Sequence, residues 1–194
     1  MARIQPIDPA TAPEDVREAL ENLPALNIFR TLAHAETAFR PFLRFGGAVL
    51  GRLSLDPVVR ELAILTVAKE AEAEYEWIQH VAIAKHVGAT DEQLAALGDP
   101  DACSSEGADE RIRAAGEGGA VFDASQRAAI ELAAAVVRGP RVSEELWACI
   151  RPQFSDRQIV ELLLAIGDYL MLARVMTVLE IDLDDAAADG SIVR

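Results

Sequence analysis

Cysteine and aromatic residues are scarce in this sequence of 194 residues, of which 5% are aromatic. The two cysteines, Cys103 and Cys149, show neither CxxC spacing nor the spacing of metal ligands, so neither is assigned a role. A chain of this length with 51% hydrophobic residues can bury a substantial core without disulfides or metals. The sequence therefore predicts one domain spanning residues 1–194.

Basic residues are also few, with 18 Lys and Arg against 32 Asp and Glu and a net charge of −14. This sign of charge repels nucleic acid and anionic bilayers at long range. The first residues lack the apolar core of a secretory signal, and no run reaches the roughly 18 apolar residues of a membrane span. We therefore predict a cytoplasmic protein with no nucleic-acid or membrane partner.

Strand signals are nearly missing, whereas apolar residues recur three and four positions apart, as in Val58, Leu62 and Leu65. Residues that cap helix N-termini precede several of these runs. Asp56-Pro57 is one such start, and two segments fit the capping box, in which the cap and the residue three positions later bond reciprocally. Further starts are predicted, and the full set is Asp56, Thr90 with Gln93, Asp123 or Ser125, Ser143, and Ser155 with Gln158. The fold class is all-α.

Residues 99–119 are rich in Gly, Ala, Ser and Asp and lack a period, which predicts a long mobile loop before a second helical half at 123–182. Residues 1–13 are predicted to form an irregular arm. Residues 182–194 are predicted to form a polar tail that frays or packs on a neighbour, and neither end is given a chemical role. The acids Glu61 and Glu161 occur in similar short patterns, which is also what two unrelated amphipathic helices would show.

Chemistry is indicated by the segment 60–65, of sequence RELAIL, and by the segment 73–81, of sequence AEYEWIQHV. On a helix, Glu76 and His80 lie one turn apart on the same face, so that the carboxylate can orient the imidazole for proton transfer. Glu72 lies one turn before Glu76, and neighbouring carboxylates raise the pKa of a histidine or of one another. Glu76 and His80 are therefore a candidate acid–base pair.

Glu61 can join this pair only if the chain folds back between the two segments. On one straight helix, Glu61 and His80 would lie about 28 Å apart at roughly 1.5 Å per residue. Residues 69–74 contain no Gly or Pro that would enforce a turn. The residues alone leave this turn open.

Residues 42–97 resemble the carboxymuconolactone decarboxylase family and its alkylhydroperoxidase D-like relatives, through the REL-type helix, the EYEW-type segment and His80-Val81. Residues 167–174, of sequence GDYLMLAR, are similar to the closing helix of that family. The resemblance implies an all-α alkylhydroperoxidase D-like helical bundle that assembles as a trimer or hexamer. It also implies that Glu61, Glu76 and His80 share an active site, and hence that the chain turns back.

In the peroxidase branch of this family, cysteines stand at the positions held here by Ala73 and Glu76. A thiol peroxidase needs one thiolate to attack the peroxide and a second thiol to close a disulfide. Peroxidase activity is therefore disfavoured, and it stays an alternative only through Cys103 or Cys149. A second alternative is a non-catalytic oligomeric binding protein, in which the charged residues form a buried network between subunits.

The resemblance to the decarboxylase branch implies a lyase or isomerase that needs no cofactor and acts on a small cyclic carboxylic acid or lactone. Protonated His80 would stabilise developing charge or return a proton, and Glu61 or Glu76 would orient it. Tyr75 and Trp77 would form a wall and donate a hydrogen bond to the substrate.

Arg60 could bind a substrate carboxylate or could be an exposed helix arginine. A metal site built from Glu76 and His80 with Glu72 or His86 lacks an HExxH motif, and no metal is predicted.

Overall fold

The computed structural model describes residues 1–98 and 121–185, and within these ranges the protein contains helices and no strands. A short 3-10 helix at Pro9–Thr11 precedes the first α-helix. The nine α-helices of the described ranges are α1 (Glu14–Glu21), α2 (Asn27–Leu32), α3 (Glu36–Gly51), α4 (Pro57–Glu70), α5 (Glu74–Val87), α6 (Asp91–Gly98), α7 (Ala124–Arg138), α8 (Glu144–Ile150) and α9 (Asp156–Leu179). The predicted all-α class is confirmed.

The starts of α4 and of α6 to α9 follow the predicted caps, whereas α1, α2, α3 and α5 begin without a side-chain cap. The Asp56 carboxylate accepts hydrogen bonds from the backbone N–H groups of Val58 and Val59 at the start of α4. Thr90 and Gln93 bond each other reciprocally at the start of α6. The starts of α7, α8 and α9 carry caps of the same kind, made by Asp123, Ser143 and Ser155. These ends were predictable because each cap depends on residues within a single turn.

Helix α4 lies at the centre of the fold, where it packs against α5, α7 and α9. All ten residues from Val59 to Ala68 are buried, and they include both Arg60 and Glu61. A helix that is enclosed on every side has no solvent face on which to place its charged residues. The ionic side chains of α4 must therefore find partners inside the protein.

Helix α9 is long and apolar enough, by length and composition, to cross a membrane, with a mean hydropathy of 1.8 over its most apolar stretch. Core helices of globular proteins meet the same criterion, and 44% of this stretch is buried against the rest of the protein. Its contacts are with α3, α4, α5 and α7. The other face of α9 exposes apolar side chains, namely Val160, Leu163, Leu164, Met171 and Val178.

The chain turns back between α4 and α5 through Ala71, Glu72 and Ala73, as the shared site required. Glu72 has a φ of 54°, in the left-handed region that usually favours glycine. The backbone N–H of Ala73 donates to the carbonyl of Ala68 at 2.8 Å, which closes the end of α4. Ala71 and Ala73 are buried with Ala173 of α9. Packing on α9 therefore accompanies a turn that has no glycine or proline.

Glu72→Gly is expected to raise the free energy of unfolding by about 0.5–1 kcal/mol. A non-glycine residue in the left-handed region costs roughly 1–2 kcal/mol, and the greater freedom of glycine in the unfolded chain offsets part of the gain. Glu72 is exposed, so Glu72→Ala is a matched control that removes the side chain without relieving the backbone. Urea unfolding measures both variants, and equal stabilities of the two would contradict the strained conformation.

The predicted loop at 99–119, together with Cys103, lies outside the described residues. The described part of the predicted tail packs on its own chain. Asp182 accepts from the backbone N–H of Ala2 at 3.2 Å, and Asp184 accepts from that of Asn27 at 2.9 Å. Asp184 proves to lie beside the candidate site, although the sequence had assigned no chemistry to this segment.

Candidate active site

Glu61 and His80, which are 19 positions apart in the sequence, meet in the interior of the protein. Glu61 Oε2 lies 2.8 Å from His80 Nδ1. Glu61 is fully buried and His80 is 6% exposed. The α4–α5 turn thus brings two of the three predicted catalytic residues together. Glu61, and not Glu76, is the carboxylate that orients the histidine.

Arg60 occupies the other oxygen of Glu61. Its Nε donates to Glu61 Oε1 at 2.9 Å, and its Nη2 lies at the same distance from that oxygen as an ion pair. A buried carboxylate requires such pairing because desolvation of an unpaired charge is costly. Arg60 is 3% exposed and does not line the cavity described below. It is therefore neither an exposed helix arginine nor placed to contact a ligand, because the buried charge of Glu61 holds it.

The contact with Glu61 determines which nitrogen of His80 is available for chemistry. A carboxylate only accepts hydrogen bonds, so Nδ1 must carry the hydrogen, and Nε2 of the neutral ring is then an acceptor. The Tyr169 ring meets the His80 ring edge to face, with centroids 4.5 Å apart. His80 is thus held from two sides with Nε2 as the nitrogen left for a ligand.

Two further acids, Glu76 of α5 and Asp168 of α9, line the cavity that His80 also lines and that is described below. Their exposed fractions are 2% and 4%, and none of their four carboxyl oxygens has a hydrogen-bond partner among the described residues. Burial, with the charges of Asp168 and Glu61, raises the pKa of Glu76 well above its usual range. Burial raises the pKa of Asp168 to about 6, against the opposing effect of His80. Both carboxyl groups therefore keep their protons to higher pH than ordinary acids do, and Asp168 is ionised above about pH 6.

Asp168 was not among the predicted site residues. The available signal was a single acid inside the otherwise apolar run of α9. Such a residue is equally compatible with an exposed position, so periodicity alone could not place it in the cavity.

The cavity beside these groups has a volume of about 170 Å³. Its polar lining residues are Tyr75, Glu76, Gln79, His80, Asp168 and Tyr169. The rest is apolar and comes mainly from α2, α3 and α9. An apolar protein cavity of about 150 Å³ can hold a benzene-sized molecule. The site therefore has room for a small ring with its polar group beside His80.

Tyr75 lines this cavity, as predicted for a substrate contact, but its hydroxyl is already engaged. It donates to Asp184 and accepts from the backbone N–H of Ile28 at 3.3 Å. Burial, and then the bond to Asp184, raise the pKa of Tyr75. Asp184 also accepts from Asn27, so the segment after α9 holds α2 against the cavity wall.

Trp77, the other predicted wall residue, does not line the cavity. It packs in a separate apolar cluster, where its ring lies close to Gly98 at the end of α6. Tyr75 and Trp77 are two positions apart on α5, and a helix directs such residues to different faces. Glu72 and His86, which were considered as metal ligands, are both exposed. Within residues 1–98 and 121–185, no group of three or more His, Cys, Asp or Glu residues is arranged to hold a metal ion.

Asp168→Asn is expected to raise the free energy of unfolding at pH 8 by about 1–3 kcal/mol. Each unit of pKa shift corresponds to about 1.4 kcal/mol, and burial moves Asp168 from 3.8 to about 6. The folded protein therefore binds this proton more tightly than the unfolded chain, so stability falls as pH rises from about 4 to about 6.

Urea unfolding at pH 8 and at pH 4 measures this effect. The amide should match the protonated wild type at the lower pH, so the gain should disappear there. Glu92→Gln, at an exposed acid in α6, is the control and should show neither the gain nor its loss. The same stability difference at both pH values would show that Asp168 is not an unpaired buried acid.

Residues 36–117 match the profile of the Carboxymuconolactone decarboxylase family. The matched range contains Glu61, Glu76 and His80. No curated protein matches the chain.

Several solved structures share the fold. A protein from Ralstonia eutropha JMP134, described as an alkylhydroperoxidase AhpD core and an uncharacterized peroxidase-related protein, has a TM-score of 0.74 at 18% identity, covering 95% of this chain and 93% of its own. An uncharacterized peroxidase-related protein from Silicibacter sp. TM1040 has a TM-score of 0.70 at 17% identity, covering 93% and 92%. A variant of the debrominase Bmp8 in complex with 2,3,4-tribromopyrrole has a TM-score of 0.68 at 16% identity, covering 94% and 91%.

At these identities the likeness establishes the fold, which is the all-α alkylhydroperoxidase D-like bundle. Glu61 of α4 and His80 of α5, which form the buried pair, both fall within the matched range. Residues 36–117 thus carry the sequence pattern of the Carboxymuconolactone decarboxylase family, in a chain whose fold is that of the alkylhydroperoxidase D-like proteins.

Proposed function

We propose that the protein is an acid–base enzyme of the lyase or isomerase type that needs no cofactor and acts on a small, largely apolar ring compound. The observation that carries this proposal is the 2.8 Å contact between Glu61 and His80, a residue that lines the cavity. A histidine whose tautomer is set by a buried carboxylate is a common general base.

His80 Nε2 would accept a proton from the ring and return it at another carbon in an isomerisation. In a decarboxylation, the electron pair of the broken carbon–carbon bond would stay on the ring as a dienolate, and protonated His80 would supply the proton. Glu61 would stabilise the imidazolium in both cases. Glu76 in its protonated form would donate a hydrogen bond to the developing oxyanion, and burial favours that form by raising the pKa of this carboxyl.

The cavity supports a neutral ring better than a carboxylate as the substrate. No Lys or Arg is found among its described lining residues, and an anionic substrate would face Asp168. The debrominase of similar fold binds 2,3,4-tribromopyrrole, a small uncharged ring. The carboxylated lactone implied by the family resemblance is therefore one substrate to test, beside neutral lactones and enolisable cyclic ketones.

The experiment is to incubate the protein in D₂O with 4-carboxymuconolactone, with neutral five- and six-membered lactones and with cyclic ketones. Proton NMR follows exchange of ring hydrogens, and ultraviolet absorbance follows loss of the carboxylated substrate. Exchange or decarboxylation by the wild type supports the proposal. A folded protein that catalyses neither reaction on any of these compounds would overturn it.

The two alternatives give different results in parallel assays. A thiol peroxidase would consume peroxide in a manner that depends on Cys103 or Cys149. Within the described residues, Cys149 is free and exposed, and it does not line the cavity. A binding protein would show no turnover, and substitution of His80 would alter only its stability or assembly.

We also infer that the chain self-associates, as a trimer or hexamer, through the exposed apolar face of α9. Val160, Leu164, Met171 and Val178 are between 45% and 57% exposed on this helix. Contiguous apolar surface of this kind marks contact sites between proteins. Sedimentation velocity tests this inference, and a monomer at micromolar concentration would contradict it.

A further inference from the structure

We infer that Glu76 and Asp168 form a recognition site for a group that donates N–H hydrogen bonds, so that the cavity selects small apolar amines or N–H rings over carboxylic acids of the same shape. This inference names the substrate class of the proposed active site and rests on the proposed function only for the use of that cavity.

The first support is the absence of partners around two buried acids. All four oxygens of Glu76 and Asp168 are buried without a hydrogen bond from the described residues. Most buried polar side-chain atoms in folded proteins have a partner, and exceptions call for an explanation such as a bound ligand. The two acids come from different helices, α5 and α9, and both line one cavity. A ligand with N–H donors would complete this arrangement.

The second support is the charge of the cavity. Burial brings the pKa of Asp168 to about 6, so that this carboxyl is charged at pH 7.5, while the charge of Glu61 is taken up by Arg60. The remaining polar lining groups, His80, Tyr75, Tyr169 and Gln79, include no permanent cation. A bound carboxylate would therefore meet a like charge in a poorly solvated space, whereas an ammonium or N–H group would meet an acceptor.

The third support is the space left next to Asp168. Gly46 of α3 lines the cavity, and a Cβ atom added there would lie 3.9 Å from Asp168 Oδ2. The neighbouring Gly47 also lines the cavity and has open space beside it. Gly46 therefore adds no side chain beside Asp168 at the cavity wall. The apolar walls, from Leu26, Phe42 and Leu172 among others, would then enclose the ring of the ligand.

The test compares probes that share a benzene ring and differ in the head group. Benzylamine is a cation at pH 7.5, aniline carries a neutral N–H group, benzoate is an anion, and toluene has no polar group. Isothermal titration calorimetry at pH 7.5 measures their affinities for the wild type, Asp168→Asn and Glu76→Gln. Asp156→Asn, at an exposed acid in the first turn of α9, is the matched control.

At least one of the two nitrogen probes is expected to bind ten times or more tightly than benzoate. Asp168→Asn should lower the affinity for that probe tenfold or more and change the affinity for toluene by less than twofold. Glu76→Gln should also lower the affinity for that nitrogen probe. Asp156→Asn should leave all affinities unchanged. Preference for benzylamine would identify a cationic substrate, and preference for aniline a neutral N–H ring.

Benzoate binding as tight as both nitrogen probes would overturn the inference, as would affinities unaffected by Asp168→Asn and Glu76→Gln. Because this test measures binding without turnover, its result is separate from that of the exchange assay. Selective N–H binding without proton exchange would leave the recognition site standing and reject the catalytic proposal. Proton exchange without a preference for N–H probes would support the catalytic proposal and reject the recognition site.

Discussion

His80→Asn is expected to lower the rate of ring-proton exchange or decarboxylation by a factor of about 10²–10⁴. Asparagine can fill part of the volume and accept or donate a hydrogen bond, but it cannot gain and lose a proton near neutral pH. Glu61 would then have no base to orient. Because the apolar walls bind the ring, the loss should appear mainly in kcat and less in KM.

His86→Asn is the matched control for this prediction. His86 lies on the same helix but is exposed near its C-terminal end, outside the cavity. Its substitution should leave turnover unchanged. The kinetic measurement is the initial exchange rate by proton NMR at several substrate concentrations. A His80→Asn protein that keeps wild-type turnover would remove the histidine from the mechanism, whatever the substrate proves to be.

Glu61→Ala is expected to lower the free energy of unfolding by about 3–5 kcal/mol. The substitution removes the partner of Arg60, whose side chain is 3% exposed, and leaves a charge in the interior without compensation. It also removes the partner of His80 Nδ1. Urea unfolding at pH 7 measures the change.

The double variant Arg60→Met with Glu61→Leu tests the cause of this loss. Replacement of a buried ion pair by apolar side chains of similar volume is often neutral for stability, so this variant should recover much of what Glu61→Ala loses. Glu92→Ala, at an exposed acid, should change stability by less than about 0.5 kcal/mol. A loss below about 1 kcal/mol in Glu61→Ala would show that water or a neighbouring group compensates Arg60.

The helices and most of their starts could be derived from the sequence, because the signals are local. A cap such as Asp56 or Ser155 acts on backbone groups within three residues of itself, and apolar periodicity identifies a helix without reference to the rest of the chain. The family resemblance placed Glu61, Glu76 and His80 together, and in the structure Glu61 contacts His80 while His80 and Glu76 line one cavity. To this extent the candidate site was predicted without knowledge of the tertiary structure.

The partner of His80 could not be chosen from the sequence. Glu76 lies one helical turn away and is the obvious local candidate, yet Glu61 makes the contact across the α4–α5 turn. In that turn Ala71 and Ala73 pack against α9, and it contains no glycine or proline from which a change of direction could be predicted. A distant contact requires the positions of three helices, which local patterns do not contain.

Glu61 and Glu161 show that similar local sequences do not predict similar surroundings. They stand in similar short sequence patterns, but Glu61 is enclosed with Arg60 and His80, whereas Glu161 binds Ser54 and Arg157 near the surface. The sequence by itself determined the all-α class, the starts of α4 and of α6 to α9, and which acids and histidine are candidates for chemistry. Only the tertiary structure decided which acid holds the histidine and that Asp168 joins the cavity, because burial and charge pairing depend on neighbours that are remote in the chain.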